Sequence, residues 1–175
     1  LQKMLRTLCA RRTEEKTFTW AQFSDAPERV LAMDAVSCDD VPAFTRAAVD
    51  GYAVVAADTF GASAAMPALL TLAGAVKMGE GAGFSLARGS CAAVPTGGEL
   101  PENADAMVML EEAEALPGGL VAIETPTAPG RHVVFRGDDV RAGQIVLAAG
   151  RRLGAREIGL LAAIGYDEAP VRIEP

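Results

Sequence analysis

The spacing of apolar residues changes character along this chain, and each change marks an element. Leu1, Met4, Leu5, Leu8 and Cys9 recur at three- and four-residue intervals, which predicts an amphipathic helix running into the polar stretch Arg11 to Lys16. Thr17-Phe18-Thr19-Trp20 alternates as a short strand does. Ser24 or Asp25 then offers an N-cap for a second helix, with Pro27 near its first turn and Val30, Leu31 and Met33 toward a core. From Asp58 to Arg131 no helical period of useful length occurs. Instead the apolar runs Leu69 to Ala73, Ala92 to Val94, Ala106 to Leu110 and Leu120 to Ile123 are separated by glycine, proline or charge, the pattern of an antiparallel sheet or barrel. The texture changes again at Arg136-Gly137-Asp138-Asp139-Val140. Ile145 to Ala148 reads as a strand, Gly150 as a turn, Ala155 to Ile164 as a short helix capped by Gly165, and Val171 to Ile173 as a last strand. A strand just begun at Pro175 predicts a chain cut at a domain boundary, and Leu1 in place of an initiator methionine predicts either a fragment or a disordered start.

Composition narrows the class. The 175 residues are 50% hydrophobic with a mean hydropathy of +0.21, enough to bury a core. Glycine (18) and proline (10) are frequent enough to expect many turns and short strands. A net charge of −7 without a basic stripe speaks against nucleic acid and anionic membranes as partners. Cys9, Cys38 and Cys91 are widely spaced and odd in number, so they read as reduced, buried thiols of a cytoplasmic protein rather than a disulfide framework or zinc site. The N-terminus lacks the layout of a signal peptide, and no apolar run approaches the length of a membrane span. The single His132 reads as structural, since multi-histidine metal sites are excluded.

Three stretches carry candidate chemistry. In Ala47 to Val55, Asp50-Gly51 lies between small apolar runs, which predicts a hairpin tip; the sharper reading is an exposed carboxylate positioned to meet a metal ion, a water or a polar ligand. Pro95-Thr96-Gly97-Gly98-Glu99-Leu100-Pro101 is either a tight turn or a place of close backbone approach to an anion; it lacks the lysine of a phosphate-binding loop. Glu111, Glu112 and Glu114 read as a solvated strand edge. Asp39-Asp40-Val41-Pro42 interrupts the pattern, so a domain boundary is placed there. Met78 to Gly83 reads as a loop.

Taken in order, Asp40-Val41-Pro42, Asp50-Gly51-Tyr52-Ala53, Thr96-Gly97 with Leu100-Pro101, Ala104-Asp105-Ala106, Gly137-Asp138-Asp139-Val140 and Gly159-Leu160-Leu161-Ala162 resemble the N-terminal region of the molybdopterin molybdenumtransferases. Relatives of that family include the C-terminal part of gephyrin. The resemblance implies an α+β, β-rich fold. An elongated α/β domain is expected from residues 1–41 and 136–175, an inserted antiparallel, barrel-like β domain from 42–135, and a catalytic Rossmann-like domain after residue 175. It implies a cytoplasmic homodimer in which this segment lines the cleft of an enzyme that inserts molybdate into adenylylated molybdopterin with release of AMP. Asp50, Thr96 and Asp139 match catalytic positions, and Gly51, Tyr52, Gly97 and Arg136 match substrate-contacting ones. Asp50 would order a cation-bound water or molybdate, Thr96 would bond an anionic oxygen, and Asp139 would hold the junction through Arg136. Mg2+ is expected for the whole enzyme, held mainly by the later domain, with Asp50 reaching it through water. The family usually has serine at Ala47, alanine at Gly98, glycine at Asn103 and basic residues at Val134 and Phe135. A non-catalytic self-association module with the same fold is the alternative.

Overall fold

The computed structural model describes residues 18–173, so the expected N-terminal helix and Cys9 lie outside the described residues. Two compact units emerge. One comprises the described residues up to Ala43 together with those from Gly137 onward; the other is Phe44–Arg136.

In the first unit, β1 (Phe18–Gln22) pairs antiparallel with β12 (Glu168–Arg172), and β2 (Ala35–Val36) pairs with β11 (Ile145–Leu147) across a register shift. Helix α1 (Ala155–Ala163) buries Leu161 against Leu31, Leu153, Ala169 and Val171. Its start is held by the Glu157 carboxylate, which accepts from the Gly154 N–H at 3.1 Å and pairs with Arg151 at 2.7 Å. Those contacts, the Arg151 bond foremost, hold the Glu157 carboxyl below its ordinary value. Gly165, at φ +89°, ends the helix as the sequence foretold. The second predicted helix, over Ser24 to Met33, does not form. Glu28 turns left-handed at φ 68°, and the backbone beyond it is consumed by tertiary pairing: the Leu31 N–H donates to Arg151 O and the Ala32 N–H to Pro170 O, both at 2.8 Å. Cys38 is exposed, against the expectation of burial.

The second unit is built on a six-stranded sheet with the strands β4 (Gly51–Val54), β5 (Ala68–Ala75), β6 (Ser90–Val94), β7 (Ala106–Met109), β8 (Ala113–Leu116) and β9 (Leu120–Ile123) in the order β7-β4-β6-β5-β9-β8. The four apolar runs picked from sequence are β5, β6, β7 and β9. Neighbours are antiparallel except β5 with β6, which run parallel, so the sheet is mixed where an antiparallel one was expected. The inner strands are apolar on both faces. On one side Ala53, Ala92, Val94 and Met107 pack with Ala47, Val76 and Leu86; on the other Val54, Cys91, Ala106 and Val108 pack with Leu70, Val121 and Ile123. Period-two alternation explains how two clusters share the same strands. Burial pushes the Cys91 thiol up to about 11. Strand β8, at the sheet edge, went unforeseen because Glu111, Glu112 and Glu114 masked it; Glu114 is exposed there, whereas Glu112 is half-buried and paired with Arg131 at 2.7 Å.

Asp50-Gly51 is not a hairpin tip. The short strand β3 (Arg46–Ala47) that precedes it pairs with β10 (Val133–Val134), while β4 lies between β6 and β7. Gly51 has no left-handed φ; it is glycine because a Cβ there would meet the Val108 carbonyl oxygen at 1.9 Å. The dipeptide was read for conformational freedom, and the chain uses it for close approach.

Candidate functional site

Asp50 is the last residue before β4, which lies between β7 and β6 in the sheet, and both flanks of it are tied down. Its carbonyl accepts from the Leu110 N–H at 3.2 Å, just past β7. Its carboxylate oxygen Oδ1 accepts from the Thr96 N–H at 2.7 Å, the short length of a charge-assisted bond. Two further bonds bind the same pair of segments: the Gly97 N–H donates to Ala47 O at 2.8 Å, and the Ala47 N–H donates to Gly98 O at 2.9 Å. The sequence permits this through its glycines. Gly97 takes φ +81°, and Gly98, whose N–H closes a turn onto Pro95 O at 2.8 Å, has no room for a Cβ, which would lie 2.9 Å from both Pro95 O and Val94 Cγ1. An alanine at that position would not fit this turn. Asn103 sits at φ 71°, a conformation asparagine tolerates better than most residues.

The outcome is an exposed edge carrying the Asp50 carboxylate and the Thr96 side chain side by side. Asp50 Oδ2 takes no hydrogen bond from the described residues, so one oxygen fixes the side chain and the other faces outward. Thr96, Gly97, Asp50 and Gly51 are therefore brought together. Tyr52 follows on β4, half-buried against the cluster of Val54 and Val108. Arg136 closes the second unit, its N–H donating to Thr45 Oγ1 at 3.3 Å. Asp139 belongs to the first unit, where its N–H donates to Val41 O at 2.9 Å. His132, at φ 57°, supplies a carbonyl to the Ala48 N–H at 2.9 Å, a backbone role in line with the structural reading.

For two residues of this region the sequence did not indicate what they do. Asp105 accepts from the Ala56 N–H through Oδ1 at 2.6 Å, anchoring the turn after β4; the Ala-Asp-Ala motif flagged it without indicating the partner. Arg46 lies on β3 with its Nε buried and unpartnered, and a lone arginine in an apolar run gives no sequence signal. Among the described residues no three His, Cys, Asp or Glu side chains gather as a resident metal would need. A magnesium ion requires near-octahedral oxygen ligation. Asp50 offers it one oxygen, so the described residues do not by themselves make a magnesium site.

The family of N-terminal regions described as MoeA N-terminal region (domain I and II) matches residues 1–165. The chain belongs to this family. Its fold matches that of a molybdopterin biosynthesis MoeA protein from Pyrococcus horikoshii with a TM-score of 0.84 and 37% identity, over 99% of this chain and 44% of that one. A molybdopterin molybdenumtransferase from Bacillus subtilis is 31% identical over the full length of this chain and 41% of its own. Molybdopterin molybdenumtransferase 2 of Mycobacterium tuberculosis is 38% identical over 81% of this chain and 35% of its own. The chain thus spans less than half the length of these relatives. Among the described residues, no helix is long and apolar enough to cross a membrane.

Proposed function

We propose that this MoeA N-terminal region lines one wall of the active cleft of a molybdopterin molybdenumtransferase, which inserts molybdate into adenylylated molybdopterin and releases AMP. The observation that carries the reading is the 2.7 Å bond from the Thr96 N–H to Asp50, which joins two motifs far apart in sequence into one exposed edge. A carboxylate with one oxygen fixed and one outward is suited to accept from a water held against the substrate. The Thr96 hydroxyl donates to an anionic oxygen of molybdate or of the pterin side chain. Gly97, flat against Ala47, keeps that approach open. The remaining wall comes from later parts of the protein, in the second copy of a cytoplasmic homodimer, and Mg2+ binds there rather than on this region.

The test uses the complete gene product in cells lacking their own molybdenumtransferase. The wild type restores molybdoenzyme activity, whereas D50N restores less than a tenth of it while keeping wild-type hydrodynamic size and circular dichroism. Full rescue by D50N would refute the role assigned to Asp50, and failure of the wild type to rescue would refute the activity.

A further inference from the structure

We infer that Arg46 is an oxyanion-binding residue on the same wall, giving it the positive charge that Asp50 and Thr96 lack. The inference deepens the functional reading above and rests on it for the identity of the ligand.

Arg46 occupies the middle row of three. On one side β3 pairs with β10, Arg46 standing opposite Val134; on the other it bridges Glu99, next to the Leu100 N–H that donates to Thr45 O at 3.0 Å. Ala47, its neighbour on β3, is 2% exposed and points into the core, as does Val133 opposite it. Alternation therefore sends the Arg46 and Val134 side chains to the other face, beside one another. Val134 is apolar and cannot pair with a guanidinium. Glu99 is the acid within reach across the ladder, yet its Oε2 accepts from the Ala82 N–H at 3.2 Å and no ion pair with Arg46 forms. Arg46 Nε is left shielded from solvent with no acceptor among the described residues.

A buried guanidinium N–H without an acceptor is costly, and natural structures rarely keep one without a reason. A planar fork of N–H donors on a half-open face suits a tetrahedral oxyanion, which it can bond in two places at once. The same strand carries the chain directly into the Asp50 segment, and Ala47 is bonded in both directions to the Gly97-Gly98 turn. A phosphate of the substrate and free molybdate share this chemistry.

The experiment follows the Arg46 Nε–H resonance of the 15N-labelled chain during titration with inorganic phosphate, sodium molybdate and AMP, with chloride at matched ionic strength as control. The resonance shifts saturably with at least one oxyanion and not with chloride. Tighter binding of AMP and phosphate than of molybdate assigns the site to a phosphate group; the reverse order assigns it to the metal oxyanion. R46Q weakens that binding at least tenfold, R46K by a smaller factor, and E99Q leaves it unchanged or tightens it. An unmoved resonance with all three anions, a shift equal to that in chloride, or wild-type affinity in R46Q overturns the inference. Cell rescue reads the functional proposal separately. A saturable Arg46 shift alongside full rescue by D50N upholds this inference and sinks the Asp50 role; the opposite pair of results does the converse.

Discussion

Replacing Gly51 with alanine isolates a steric requirement from a conformational one. Gly51 does not use a left-handed φ, so alanine has no backbone penalty of its own at this position. The cost comes from the added Cβ, which would lie 1.9 Å from the Val108 carbonyl oxygen and 3.1 Å from Met109 Cα. A carbon and a carbonyl oxygen settle no closer than about 3.3 Å, so β4 and β7 must separate locally by about 1.4 Å. A ladder bond of about 2.9 Å stretched by that amount no longer counts as a hydrogen bond. Two lost bonds and the disturbed packing beneath them come to about 3–4 kcal/mol, a large share of the stability of a typical domain. The comparison variant is G61A. Gly61 sits at φ +84° with nothing within 4 Å, so alanine there bears only the left-handed strain, about 1–2 kcal/mol. Equilibrium urea denaturation followed by far-UV circular dichroism measures both. The expected order is wild type, then G61A, then G51A, with unchanged slopes. A G51A midpoint equal to or above that of G61A would refute the close-approach account and return Gly51 to an ordinary turn glycine.

Two other outcomes follow from the ionisable groups. Glu157 has a folded-state pKa lowered chiefly by Arg151, so its contribution to stability is present above the unfolded carboxyl value and is lost as pH falls through the lower folded one. Thermal midpoints measured from pH 6 down through the carboxyl range should fall more steeply in the wild type than in E157Q; parallel curves would show that the pair contributes nothing. Cys91, raised to about 11 by burial, stays a neutral thiol while the unfolded thiol ionises near 9.0, so stability falls as pH rises through that interval, and C91A removes this slope. In thiol labelling at pH 8, the exposed Cys38 should react in the native state and Cys91 only on unfolding; native labelling of Cys91 at the rate of Cys38 would contradict its burial.

The elements that were legible in the sequence are those whose signal is local. Runs such as Leu120 to Ile123 carry their own pattern of β-branched and aliphatic residues bounded by glycine, and α1 carries both its period and its Gly165 stop. The failures share one cause. Ser24 to Met33 had a cap and an apolar spacing, but its backbone groups found partners on Arg151 and Pro170, which no local pattern encodes. Asp-Gly at 50–51 looked like a turn because the dipeptide usually is one; the actual reason for the glycine is a carbonyl on β7, distant in sequence. The candidate site divides the same way. The order of motifs named Asp50 and Thr96, but only the fold shows that they touch, and nothing in the sequence distinguished Arg46 from a solvated arginine.

Backbone bonds, together with the bond from the Thr96 N–H to the Asp50 carboxylate, hold the geometry of the Asp50 edge. Ala47 is fixed to Gly97 and Gly98 through its N–H and carbonyl, and its small side chain enters the core. Gly98 and Asn103 each satisfy a backbone demand, a missing Cβ at one and a positive φ at the other. None of Ala47, Gly98 and Asn103 takes part in the 2.7 Å bond that orients Asp50. Side chains that face outward are under a different constraint, since what matters there is charge at a place and not the residue that supplies it. With Val134 apolar, the guanidinium of Arg46 directly across the ladder offers a cation on the same face.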